Sequence, residues 1–328
     1  MNSQITATRN ASRIVYLDRD SLPERIQIPP PKHPHKWVNH PTTQPESVID
    51  RCANADIVAT NKVKISRETL LACPNIKHIV VTATGYNIID IEACRELGVS
   101  VSNTPNYAAT TVAEHVLMCA LNLTRELLSY RQNVIDGHWQ QSKVFCVLDK
   151  PIHNLKGKTL GILGFGEIGR ATAHLAHAMG LNVIFNSRST HQSDIAQAVS
   201  FEQLLSKSDL ISVHCSLNNQ TRNIIGATEI NQMKRHAILI NTARGGVVNE
   251  ADTVRAIENG RLGGIAFDVL SQEPPLASSP LLAIADRDNV IVTPHIGWAS
   301  EQAMQSLANI VSQNIDAFLA GTPQNIVS

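Results

Sequence analysis

The stretch TLGILGFGEIGRATAHLAHAMG, residues 159–180, decides the fold. It opens as a short apolar run with strand character and closes with the three- and four-residue periodicity of a helix. Between the two, Gly164-Phe165-Gly166-Glu167-Ile168-Gly169 sets three glycines at G-x-G-x-x-G spacing. In a strand-turn-helix setting each glycine has a mechanical use. Gly164 permits the tight turn, Gly166 lets a pyrophosphate approach the backbone, and Gly169 lets the helix pack on the strand. The helix N-terminus, with Glu167 and Ile168 in its first turn, offers N–H donors and a positive dipole end to phosphates. The stretch reads as the phosphate-binding turn of a dinucleotide site.

Outward from that turn the pattern repeats. Strands are expected at 182–186, 209–214, 237–241, 263–269 and 289–293, with helices after Glu167, Ser200, Thr228 and Asn249, the last two as N-caps. Such alternation predicts a parallel sheet with helices on both faces and right-handed crossovers. Upstream, the runs at 14–17, 56–60, 78–82 and 99–101, with helices capped by Ser66 and Asp90, predict a second, smaller α/β layer. A single long helix is expected from about 107 to 134, and a last one from 300 to 320 that stops at Gly321. The Pro-rich stretch at 29–41 reads as an extended surface connection, so His33, His35 and His40 are not expected to hold a metal.

Composition narrows the function. In 328 residues, 28 Lys and Arg balance 28 Asp and Glu, which argues against a nucleic-acid or membrane-surface partner. No run approaches the length of a membrane span, and the N-terminal MNSQITATRNASRIVYLDRD lacks a signal peptide's apolar core. Cys52, Cys73, Cys94, Cys119, Cys146 and Cys215 show no C-x-x-C spacing. Reduced thiols, no metal site and a cytoplasmic protein are expected.

The strand after the glycine turn selects the dinucleotide. An NAD site places an acid about 20 residues on, to hold the ribose 2′-OH. Here the window reads Phe185-Asn186-Ser187-Arg188-Ser189, with no acid before Asp194. Arg188 can pair with a 2′-phosphate while Asn186, Ser187 and Ser189 hydrogen-bond it, so NADP(H) is expected, with NAD(H) the alternative. Three further segments follow strand ends, where ligands bind in open α/β sheets: INTARGG around Arg244, FDV around Asp268 with Glu273 beyond, and TPHIG around His295.

These motifs, GFGEIG, INTARGGVVNE, FDVLSQEPP and TPHIGWAS in that order, resemble those of the D-isomer-specific 2-hydroxyacid dehydrogenases, and within that family most closely the glycerate dehydrogenases or hydroxypyruvate reductases. The segments NYAATTVAEHV and AFLAGTPQNIV strengthen the likeness. The resemblance implies two Rossmann-like α/β domains with doubly wound parallel sheets, the cofactor domain (104–298) inserted into a substrate domain (1–103 plus 299–328). It implies that His295 is the acid/base, Glu273 its hydrogen-bond partner, and Arg244 the group that binds the substrate's carboxylate and carbonyl. Thr242, Ala243 and Asp268 would contact the cofactor, Asp268 at the nicotinamide carboxamide. Ala83-Thr84-Gly85 would hold the substrate carboxylate through backbone amides. The family usually has Asp where Asn87 stands. A homodimer is expected, and Trp139 either packs locally or reaches a partner's site.

The chemistry suits these roles. Reduction of a 2-oxo acid needs hydride at C2 and a proton on the developing alkoxide. Histidine titrates near neutrality, and a carboxylate partner stabilises the imidazolium. Trp298, beside His295, should narrow the pocket toward hydroxypyruvate or glyoxylate. Two alternatives stand beside this reading: another member such as a glyoxylate or phosphoglycerate dehydrogenase, and a scaffold that senses NAD(H) without turnover. His115 is read as an ordinary helix histidine.

Overall fold

The computed structural model describes residues 11–328, so the reading of the first ten residues lies outside the described part. The chain forms two compact units. One runs to Tyr107 and resumes as Ser300–Ser328, and the other is Ala108–Ala299. Among the described residues no helix is long and apolar enough to cross a membrane.

The first unit comprises β1 (Ser12–Tyr16), β2 (His35–Asn39), α1 (Val48–Cys52), β3 (Ile57–Thr60), α2 (Arg67–Ala72), β4 (His78–Val81), α3 (Ile91–Leu97) and β5 (Ser100–Ser102), plus a C-terminal helix, Glu301–Leu319. Its sheet is parallel, in the order β2-β1-β3-β4-β5. The caps read from sequence form, Ser66 accepting from Thr69 N and Asp90 from Ala93 N, and Ser300, read as the first residue of the last helix, caps it by accepting from Ala303 N. The Pro-rich stretch departs from expectation, because His35–Asn39 pairs with β1 as an edge strand. Pro34 and Pro41 bracket it, which an edge position tolerates.

The second unit comprises α4 (Ala109–Arg125), α5 (Leu127–Ile135), β6 (Thr159–Leu163), α6 (Glu167–Ala178), β7 (Asn182–Asn186), β8 (Ala196–Ala198), α7 (Phe201–Lys207), β9 (Leu210–Val213), α8 (Ala227–Gln232), β10 (Ala237–Asn241), α9 (Glu250–Glu258), β11 (Leu262–Phe267) and β12 (Val290–Val292). Its seven strands are parallel in the order β12-β11-β10-β9-β6-β7-β8. Separate cores fill the two faces. Ile211, Leu239, Ile265 and Phe267 pack with side chains of α7, α8 and α9 on one side. Leu160, Ile162, Phe185 and Ile240 pack with side chains of α4 and α6 on the other.

Two expectations are corrected here. The single long helix is two, broken at Glu126, whose φ of 53° is left-handed. The Glu126 carboxylate lies 3.7 Å from Lys150 Nζ, which also bonds Asp288 at 2.6 Å, so the break is tied down from outside the helix. Thr228 is not a cap, since α8 starts one residue earlier than it, after Gly226. The free N–H groups of Gly226 and Ala227 go instead to the carboxylates of Glu229 and Asp252.

Candidate active site

In the second unit the chain leaves β6 for β7 and β8 on one side, then returns to β9 and proceeds outward on the other. The carboxyl ends of β6 and β9 therefore flank the crevice where strand order reverses, the usual ligand position in such sheets. The glycine turn sits there. Gly164 has φ of 98°, and a Cβ on it would stand 2.8 Å from Cys215 N, at the end of β9. A Cβ on Gly169 would meet Gly164 O at 2.3 Å, whereas one on Gly166 would meet nothing within 4 Å. Two glycines are thus required by packing and the middle one opens onto free space. At the end of β10, Thr242 Oγ1 is buried without a partner. An open helix N-terminus and an orphaned hydroxyl on the same edge of the sheet fit a dinucleotide. His214 contributes no cation to it, because burial pushes its imidazole down to about 4, and its Nε2 is bonded to Ser212 Oγ at 2.8 Å.

Beyond β7, Asn186 spends an amide hydrogen on Val199 O at 3.0 Å, which fastens the strand end. Ser187 is half-buried, whereas Arg188 and Ser189 are exposed. Arg188 bonds Gln220 Oε1 at 3.2 Å, and among the described residues no carboxylate pairs with it. Burial pushes the Cys215 thiol up.

The three strand-end segments lie side by side. Asp268 N donates to Asn241 O, and Thr293 N to Phe267 O, so β10, β11 and β12 hand over to their loops in register. Gly245 is pressed so closely to the next loop that a Cβ would lie 1.9 Å from Leu270 O. Asn241, fully buried, bonds Ala243 N and Arg244 O and so shapes the arginine turn. Arg244 donates to Ala243 O at 2.7 Å, and no carboxylate among the described residues neutralises it.

His295 Nδ1 lies 2.6 Å from Glu273 Oε2, with side chains 26% and 29% exposed, so the pair is open to a ligand. The other oxygen of Glu273 accepts from Leu270 N at 2.9 Å and is thereby anchored to its own loop. His295 has φ of 56°, a left-handed backbone uncommon for a residue with a side chain. It is pinned there by its own N–H to Thr293 O and by Trp298 Nε1 to its carbonyl, both at 3.0 Å. Asp268, 3% exposed at its side chain, accepts from Thr293 Oγ1 (2.6 Å), Ile296 N (2.8 Å) and Gly297 N (2.8 Å). Its carboxylate is committed to the His295 loop, a link that the nicotinamide-contact expectation did not contain.

In the first unit, the carbonyls of Ala83 and Thr84 accept from Thr104 N and Asn103 Nδ2, and Thr84 Oγ1 donates to Thr104 O. No acceptor among the described residues takes the backbone N–H groups of Ala83, Thr84 and Gly85. They form a ready anion cradle.

One polar residue beneath the His295 loop was passed over in the sequence. His115 of α4 is bonded to Thr293 Oγ1 at 3.2 Å, and its side chain is 9% exposed. The signal was an ionisable residue beside the buried Val112, Val116 and Cys119 of α4.

The family model for the D-isomer-specific 2-hydroxyacid dehydrogenase NAD-binding domain matches residues 117–297. A glycerate dehydrogenase of Methylorubrum extorquens is 42% identical, covering 96% of this chain and 98% of that protein. A hydroxypyruvate reductase of Blautia hydrogenotrophica is 36% identical, over 87% and 89% of the two chains. The crystal structure of a glyoxylate reductase from Paecilomyes thermophila superposes with a TM-score of 0.83 at 26% identity, over 97% and 98% of the two chains.

Proposed function

Since the chain belongs to the D-isomer-specific 2-hydroxyacid dehydrogenase family, we propose that it reduces hydroxypyruvate, and glyoxylate as a second substrate, with NADPH preferred. The observation that carries the reading is the His295–Glu273 pair, half-open to solvent, on a loop whose backbone is held in a left-handed turn. The names of the glycerate dehydrogenase and hydroxypyruvate reductase relatives support the substrate.

A bound nicotinamide would supply the hydride to C2 of the 2-oxo acid. Gly164, Gly166 and Gly169, with the first turn of α6 at Glu167 and Ile168, would hold its pyrophosphate, and Thr242 and Ala243 at the end of β10 would contact the cofactor. Arg244, charged and unneutralised, grips the substrate carboxylate and polarises the carbonyl oxygen. In the first unit, the amides of Ala83-Thr84-Gly85 offer donors suited to a carboxylate. His295 delivers the proton to that oxygen as charge builds on it, and Glu273 fixes the ring through Nδ1, which leaves Nε2 for the substrate. Asp268 acts through the His295 loop. The Trp298 ring narrows the pocket while its N–H clamps the His295 carbonyl, which disfavours branched 2-oxo acids.

Arg188, with Ser187 and Ser189 beside it and no carboxylate paired with it among the described residues, supports the NADPH preference. The apolar side chains exposed on α4, α5 and the loop beyond, among them Leu127, Ile135 and a Phe145 that is 90% exposed, support a homodimer. The deciding experiment follows absorbance at 340 nm with hydroxypyruvate, glyoxylate and 2-oxoisocaproate, each with NADPH and NADH. Fast NADPH oxidation with hydroxypyruvate is expected. Equal rates with 2-oxoisocaproate would overturn the substrate reading, and equal kcat/KM for the two cofactors the NADPH reading.

A further inference from the structure

His115 lies on α4, far in sequence from the segments of the candidate site, yet it begins a hydrogen-bonded chain that runs through Thr293 and Asp268 to the N–H groups just after His295. The Thr293 hydroxyl gives its one hydrogen to Asp268 Oδ1 at 2.6 Å. The Thr293 oxygen is then left to accept, and the His115 ring supplies the donor through Nε2 at 3.2 Å. The same Nε2 stands 3.8 Å from Asp268 Oδ1. His115 also lies close under the loop, since a Cβ added to Gly297 would stand 3.6 Å from His115 Cδ2 and 2.8 Å from Asp268 Oδ2. The His295 loop is therefore seated on one buried carboxylate, and that carboxylate's hydroxyl partner is oriented by a histidine from a helix.

We propose that His115 is a positioning residue for the acid/base His295, acting through Thr293 and Asp268 without touching substrate. A loop held in a left-handed turn relaxes unless its anchors are fixed. Those anchors, the N–H groups of Ile296 and Gly297, both end on Asp268. Without the His115 donor the Thr293 hydroxyl can swing off Asp268 Oδ1, the carboxylate then seats the loop less firmly, and a small misplacement of a proton donor is costly in rate.

The inference rests on His295 being the acid/base, and the test separates the two. His115→Leu removes the donor, and His115→Gln retains one that can reach Thr293 Oγ1. Thr293→Val cuts the chain from the other side, should the leucine variant fail to fold. For His115→Leu, kcat with the best 2-oxo acid is expected to fall about five- to tenfold, the loss of one hydrogen bond's worth of alignment. The dissociation constant for NADPH, from quenching of tryptophan fluorescence, is expected to stay within about twofold, since a placement effect acts on kcat alone. His115→Gln should restore most of kcat, and Thr293→Val should reproduce the leucine variant. Unchanged kcat in His115→Leu and Thr293→Val, with His295→Ala inactive, would overturn the inference and spare the acid/base reading. Equal losses in the leucine and glutamine variants would also overturn it, because shape and not the hydrogen bond would then matter. Turnover in His295→Ala would overturn both.

Discussion

Asp268→Asn is the sharpest perturbation of the site, because it keeps shape and removes acceptor capacity. The carboxylate takes Thr293 Oγ1 and Ile296 N on one oxygen and Gly297 N on the other. An asparagine has one acceptor oxygen, so whichever way its amide is turned, an NH2 group faces at least one backbone N–H. The smallest loss is one charge-assisted hydrogen bond plus a buried donor without an acceptor, about 2–4 kcal/mol. For a unit the size of the second one this lowers the thermal midpoint by roughly 5–10 °C. If a third to a half of the loss falls on the placement of His295, kcat drops by about tenfold. Differential scanning calorimetry and initial rates on the same preparation measure both. A variant whose midpoint moves by less than about 2 °C and whose kcat stays within about twofold would refute the view that this carboxylate seats the acid/base loop.

Further outcomes follow from the same geometry. His295→Ala and Arg244→Ala should stay folded, by circular dichroism, and lose about 10²–10³ in kcat; near-normal turnover in either would remove its assigned role. Arg188→Ser should cost at least about tenfold in kcat/KM with NADPH and little with NADH, as expected for one lost ion pair to a phosphate; equal losses with both cofactors would make Arg188 structural. Burial drives His78 down to about 4 from an ordinary 6.5, between the Ser100 and Ser102 hydroxyls and stacked on Phe318. Its folded value lies below its unfolded one, so the unfolded chain binds more protons between the two. Stability is thus full above about pH 6.5 and falls as pH drops toward 4, by about 3 kcal/mol for this group. His78→Leu should flatten that acid limb in urea titrations; an unchanged slope would place the sensitivity elsewhere.

The parts of the fold that were readable share a physical cause. Parallel strands buried on both faces must be short continuous apolar runs, so TLGIL, NVIFN and AILIN betrayed β6, β7 and β10 to the residue. Caps showed where a side chain does the capping, as at Ser66, Asp90 and Asn249. Features that depend on partners distant in sequence did not show. Ala227 N is satisfied by Asp252, Glu126 is held by Lys150, and β2 exists because β1 is there to pair with it. The site divides in the same way. Arg244, Glu273 and His295 stood out because each follows a strand end in an unusual local sequence. His115 and the seating role of Asp268 arise only when α4 is brought beneath β11 and β12, and no spacing along the chain announces that.

The left-handed turn at His295 also sets folding and activity against each other at a single position. A side chain there costs roughly 1–2 kcal/mol that glycine would not. Selection for thermal stability alone would drift the codon toward glycine and discard the one imidazole in the loop. The surrounding hydrogen bonds from Trp298, Glu273 and Asp268 can be understood as compensation that makes a locally unfavourable residue tolerable. A lineage that gave up turnover and kept the fold should therefore lose the histidine early and the supporting residues later.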